Sequence, residues 1–124
     1  MKLTKIQREE LKQKYGGNCA YCGEVLGNKW HADHLIAVVR DLTTGKPEKP
    51  EHDVIENLMP ACPPCNHNKR SLSLENWRYL LTHYLDVQVI RDCSQFRHLV
   101  RFGLIDIKRE PLVFYFEKYE NDQT

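Results

Sequence analysis

Apolar positions recur at helical spacing in three stretches of the chain, with shorter β-rich runs between them. Over residues 4–15, Ile6, Leu11 and Tyr15 mark a rough stripe and Thr4 is placed to cap the first turn, which predicts a helix. Gly16-Gly17-Asn18 ends it. Residues 30–39 are rich in β-formers and read as a strand. Residues 40–51 carry Gly45, Pro47 and Pro50 among charges and read as a polar loop, after which 54–59 form a returning strand. Pro60, Pro63 and Pro64 predict an irregular turn, with a helix starting at Asn66 or near Ser73. Leu74, Trp77, Leu81, Tyr84 and Leu85 then recur at helical spacing and are expected to face a core. Beyond Asp92 a further helix should turn Cys93, Phe96, Leu99 and Val100 inward and stop at Gly103. Segments 104–107 and 112–117 read as a hairpin around Lys108-Arg109-Glu110-Pro111, and 120–124 as a disordered tail.

A chain of 124 residues is expected to make one domain with a modest core, in the size range where a metal staple helps. Its 18 Lys and Arg against 17 Asp and Glu leave a formal charge of +1, so there is no basic excess, and a nucleic-acid partner would need a local basic face. No stretch is apolar for long enough to cross a bilayer, and Met1-Lys2-Leu3-Thr4-Lys5 lacks the apolar region of a signal peptide. A cytoplasmic address is expected. Disulfides are rare in a reducing compartment, which turns paired Cys-x-x-Cys motifs toward zinc. Cys93 stands apart and is expected to be a buried structural thiol.

The two pairs are Cys19/Cys22 and Cys62/Cys65. Two intervening residues let one turn present both sulfurs to a tetrahedral Zn2+ at about 2.3 Å, with Gly23 where the first knuckle needs an unhindered backbone. A redox dithiol, the competing reading, would sit at the start of a helix after a strand and usually occur once. The stretch from Cys22 to Cys62 far exceeds the roughly 15–20 residues of a simple zinc ribbon. The extra chain should form an antiparallel pair clamped at its base by zinc, with Asp33-His34 on the first strand and Asn57 on or near the second.

Through Cys19-x-x-Cys22, Asp33-His34, Asn57-Leu58 and Cys62-x-x-Cys65-Asn66-x-x-Lys69, the chain resembles the HNH endonuclease family in its four-cysteine zinc subtype. The resemblance covers about residues 6–80. It implies an α+β fold: a zinc-stapled ββα-metal core with an N-terminal helix and a C-terminal helix plus β-hairpin extension. Residues 1–90 would be the nuclease-like domain and 91–124 an extension packed on it. By the same resemblance His34 is the general base, and Asp33 and Asn66 ligate a catalytic divalent cation such as Mg2+. Asn57 braces the loop and orients His34. The motif's third letter is often His, and His67 is the alternative ligand to Asn66. Lys69 and Arg70 would meet flanking phosphates. The implied activity is metal-dependent hydrolysis of DNA, as in nucleases of phages and mobile elements, with a protein partner as one source of specificity. The rival reading is a non-catalytic zinc module that binds nucleic acid or a protein.

The chemistry independently asks for these residue types. A neutral imidazole with pKa near 6.5 can take a proton from water at physiological pH. A Mg2+ held by one carboxylate and one carboxamide keeps several positions open for phosphate and water. Strand neighbours point to opposite faces, so a twist or bulge is expected at Asp33-His34. His31 would share the face of Asp33, whereas His52, His83 and His98 read as structural. Arg91, Arg97, Arg101, Lys108 and Arg109 read as a solvated face broken by acids, with a DNA-contacting extension as the sharper alternative.

Overall fold

The computed structural model describes residues 2–38, 42–44, 46 and 50–123. Helix α1 (Lys5–Lys12) starts as its sequence predicts: the Thr4 hydroxyl accepts from the Gln7 N–H at 3.1 Å, and Gln7 Oε1 accepts from the Thr4 N–H at 3.0 Å. Leu11 is buried but Ile6 is 72% exposed, so the inward stripe is narrower than expected. Gly16 and Gly17, with φ of +70° and +84°, deliver the chain to the first cysteine pair.

Strands β1 (His31–His34) and β2 (Leu58–Ala61) form a two-stranded antiparallel sheet that pairs His31 with Ala61, Ala32 with Pro60, Asp33 with Met59 and His34 with Leu58. Both differ from the expected spans. Beyond His34 the ladder stops because Asn57 takes its place: the Asn57 carbonyl accepts from Leu35 N–H, and its carboxamide pairs with both Ile36 N–H and Ile36 O. Val39 and half of the expected polar loop lie outside the described residues. On the return, Ile55–Asn57 is a 3₁₀ turn and the strand begins only at Leu58. Pro60, expected to break the chain, sits inside β2, since a two-stranded sheet leaves each strand an edge that needs no donor. Helix α2 (Pro63–Lys69) begins at Pro63 rather than Asn66, because prolines in the first turn lack only donors that a helix start leaves unbonded.

The chain divides into two compact units, Met1–Leu74 with Val113–Thr124, and Glu75–Leu112. The expected boundary after residue 90 falls inside the second unit, and the C-terminal residues belong to the first. The core of the first unit joins Leu11, Tyr15, Ala20, Tyr21, Leu26, Trp30, Leu58 and Met59 to Phe114 and Phe116. Backbone N–H groups of Tyr115 and Phe116 donate to Tyr21 O and Ala20 O at 3.0 and 2.7 Å, locking the C-terminal segment to the first knuckle. Tyr21 meets Phe114 edge-on at 5.9 Å between ring centres.

The C-terminal hairpin is not formed. Neither 104–107 nor 112–117 holds a strand, and helix α6 (Tyr115–Gln123) occupies most of the expected hairpin arm and disordered tail. The alternating Phe114 and Phe116 are buried as a strand's would be. However, the Glu117 carboxylate accepts the Phe114 N–H at 2.8 Å and caps a helix instead.

In the second unit, α3 (Leu74–His83) runs through a π-helical turn, Tyr84–Val89, into α4 (Ile90–Asp92), and α5 (Ser94–Arg101) follows. Trp77 is buried, but Tyr84 is 38% exposed and Leu81 and Leu85 are only half-buried, so the expected core stripe reduces to one aromatic. Cys93 is exposed, not buried; it caps α5, its sulfur accepting from Phe96 N–H at 3.4 Å. Gly103, with φ of +73°, stops the helix as expected. The α+β class with a ββα core stands. Among the described residues no helix is long and apolar enough to cross a membrane.

Candidate functional site

The first knuckle is a tight turn in which Cys19 N–H donates to Glu24 O at 2.7 Å and Gly23 N–H to Cys19 O at 3.0 Å. The second is built by the start of α2, with Cys62 as N-cap and Cys65 on the first turn. Cys62 N–H points at Cys19 Sγ, 3.4 Å away, tying the knuckles together. The four sulfurs all lie within 4.8 Å of one another, and Cys22 and Cys62 are 3.8 Å apart. A tetrahedron with metal–sulfur bonds of about 2.3 Å has edges of about 3.8 Å, so this set fits one tetrahedral cation. Its electrostatics agree. A hydrogen bond from Cys65 draws the Cys19 thiol down to about 4, while burial, with the nearby Cys19 charge adding, pushes Cys22 up to about 11. Sulfurs packed this closely resist carrying four negative charges together unless a cation joins them.

The strand residues are dealt out by the sheet's alternation. Asp33 and His34 follow a regular register with no bulge, contrary to the irregularity expected there. Asp33 turns inward and is 8% exposed. Its Oδ2 accepts from the Tyr21 hydroxyl at 2.5 Å and faces Lys69 Nζ at 3.3 Å, while Oδ1 makes no hydrogen bond among the described residues. Burial and the adjacent carboxylate push the Tyr21 hydroxyl far above its ordinary range, so it stays a donor.

Lys69 departs from expectation. Assigned to phosphates, it is instead fully buried, donating to His34 O at 3.0 Å beside Asp33, because the i, i+3 spacing from Asn66 puts it on the inward face of α2. Arg70 is exposed at the C-cap with φ of 54°. On the same helix Asn66 is half-buried and its Nδ2 lies 2.7 Å from His31 Nδ1, whereas His67 is exposed. Since His31 and Asp33 are two apart on β1, Asn66 meets the face that carries Asp33.

Asn57 holds the loop closed: its Nδ2 donates to Ile36 O at 2.8 Å and His52 O at 2.7 Å, and its Oδ1 accepts from Ile36 N–H at 2.9 Å. His34 Nε2 lies 2.9 Å from Asp53 Oδ1, and this bond holds the Asp53 carboxyl below its usual range. Asp53 and Tyr21 were not singled out from the sequence. Asp53 had one available signal, a carboxylate four residues before Asn57 in the loop that the asparagine ties down. No hydrogen bond among the described residues joins the Asp33, His34 and Asn66 side chains to one another.

A two-stranded sheet followed by a helix, drawn together by four cysteines and bearing an Asp-His pair, is a ββα arrangement with a candidate four-sulfur metal site. Residues 19–72 match the HNH endonuclease family. No curated protein and no solved structure matches the chain significantly.

Proposed function

We propose that this protein is a metal-dependent DNA endonuclease whose His34 serves as general base and whose Asp33 and Asn66 hold one divalent cation, Mg2+ or a similar ion. The observation that carries the reading is His34 itself. It ends β1 within the segment that matches the HNH family, its side chain is 27% exposed, and Nδ1 has no protein partner among the described residues. Asp33 Oδ1 and the Asn66 amide oxygen make no hydrogen bond among the described residues, and hard oxygen donors of this kind suit Mg2+. When bound, the cation would supply charge neutralisation at the phosphoryl oxygens. The chain's own residues do the rest. Tyr21 and Lys69 fix the Asp33 carboxylate, and Asn57 fixes the loop. His34 Nδ1 takes a proton from water as the water oxygen bonds to phosphorus. The P–O3′ bond breaks, and the departing oxygen takes a proton from solvent. Exposed Arg70 is available to a flanking phosphate. The four cysteines hold a structural Zn2+ that folds the ribbon bearing these groups.

Purified protein is expected to nick plasmid DNA with Mg2+ or Mn2+ and to stop on adding EDTA. His34→Ala should abolish nicking while leaving melting temperature and bound zinc unchanged. Equal activity in that variant, or no cleavage with any divalent ion, overturns the reading. The rival, a binding module without catalysis, is favoured by the formal charge of +1 and by the burial of Lys69, which leaves one fewer cation for a phosphate backbone. Tight DNA binding without cleavage would select it.

A further inference from the structure

We propose that Asp53 is a positioning residue for His34: its carboxylate fixes the imidazole with the proton on Nε2 and leaves Nδ1 bare toward the attacking water. The proposal rests on the reading of His34 as general base.

The geometry leaves little choice of tautomer. Asp53 Oδ1 lies 2.9 Å from His34 Nε2, and an ionised carboxylate only accepts, so Nε2 must donate. The remaining ring nitrogen then carries a lone pair, which is what a base needs. After proton transfer the imidazolium keeps its Nε2–H against the Asp53 charge, so the pair steadies the charged form as well as the neutral one. The contact is partly shielded from water, the Asp53 side chain being 14% exposed and that of His34 27%.

The loop shows how Asp53 is held. Asn57 Nδ2 donates to His52 O at 2.7 Å and Asn57 N–H to Val54 O at 3.0 Å, so the residues on both sides of Asp53 are tied to one asparagine. The same carboxamide grips Ile36, two residues past His34. Asn57 thus has no bond to the imidazole and acts on it through Asp53. An aspartate on this loop converts the bracing of a backbone into the aim of a side chain.

The test is a long-range 1H–15N spectrum of the histidine rings at about pH 8, above the ordinary imidazole pKa of about 6.5, on wild type, Asp53→Asn and Asp53→Ala. Wild type should show His34 with a protonated Nε2 and a bare Nδ1. Both variants should lose this single-tautomer signature while keeping zinc content and melting temperature. In nicking assays kcat should fall by about 10²–10⁴-fold with KM changed less than about threefold, since Asp53 touches no substrate. An unchanged His34 spectrum in both variants overturns the proposal, as does an unchanged kcat. If the wild type does not cleave DNA, the nuclease reading falls, and the spectrum alone still decides whether Asp53 sets the tautomer.

Discussion

Replacing Lys69 by methionine keeps the aliphatic stem and removes one buried charge. Lys69 is 0% exposed and donates to His34 O at 3.0 Å, with the Asp33 carboxylate at 3.3 Å. At an effective dielectric of about 20, opposite charges 3.3 Å apart attract by about 5 kcal/mol, and breaking a buried pair from one side costs about 3–5 kcal/mol. The Tyr21 hydroxyl still donates to Asp33 at 2.5 Å, which favours the lower end. Lys69→Met should therefore destabilise by about 3 kcal/mol, lowering the melting temperature by about 10 °C. A double-mutant cycle with Asp33→Asn isolates the pair, because the second change removes the charge that the first left uncompensated. The double variant should be more stable than the sum of the singles predicts by about 2 kcal/mol or more. Urea denaturation followed by tyrosine and tryptophan signals reads all four proteins. A loss below about 1 kcal/mol for Lys69→Met, or additivity within about 0.5 kcal/mol, would refute the buried pair and return Lys69 to the surface.

Metal removal should collapse the first unit. Cys65→Ser is expected to lose its cooperative melting transition and its single bound zinc, since the metal contributes on the order of 10 kcal/mol to folding, whereas Cys93→Ser, exposed and outside the cluster, keeps both. A normal melt for Cys65→Ser would sink the structural role of the cysteines. The knuckle glycine Gly23 and the helix-stop glycine Gly103 should differ. A Cβ at Gly23 would meet Tyr115 Cδ2 at 2.8 Å as well as sitting at φ +84°, while one at Gly103 meets nothing within 4 Å. Gly23→Ala should cost about 2–4 kcal/mol and Gly103→Ala about 1–2 kcal/mol by thermal denaturation. Equal losses would mean that Tyr115 does not pack on the knuckle.

Features carried by short spacings were readable before the fold was known. Thr4 caps its helix as expected, Gly103 stops its helix, and the cysteines meet as two pairs. Misreadings arose where a local pattern had two solutions. Phe114 and Phe116 alternate as a strand would, yet Glu117 caps a helix. Pro63 and Pro64, read as breakers, open α2 because a helix's first turn tolerates them. Asp53 and Lys69 were illegible or misplaced for another reason: the partners that define them are 19 and 36 residues away in the chain.

By itself the sequence determined the cysteine clamp, the ββα order and the Asp-His, Asn and Asn positions of the motif, because ligand spacing and turn chemistry are properties of adjacent residues. Only the tertiary structure decided which side chains face which. The alternation of β1 sends Asp33 inward to Tyr21 and Lys69, and the loop closed by Asn57 brings Asp53 to His34. A charge becomes a buried anchor or an exposed contact through what the rest of the chain packs around it, and residue type alone does not encode that.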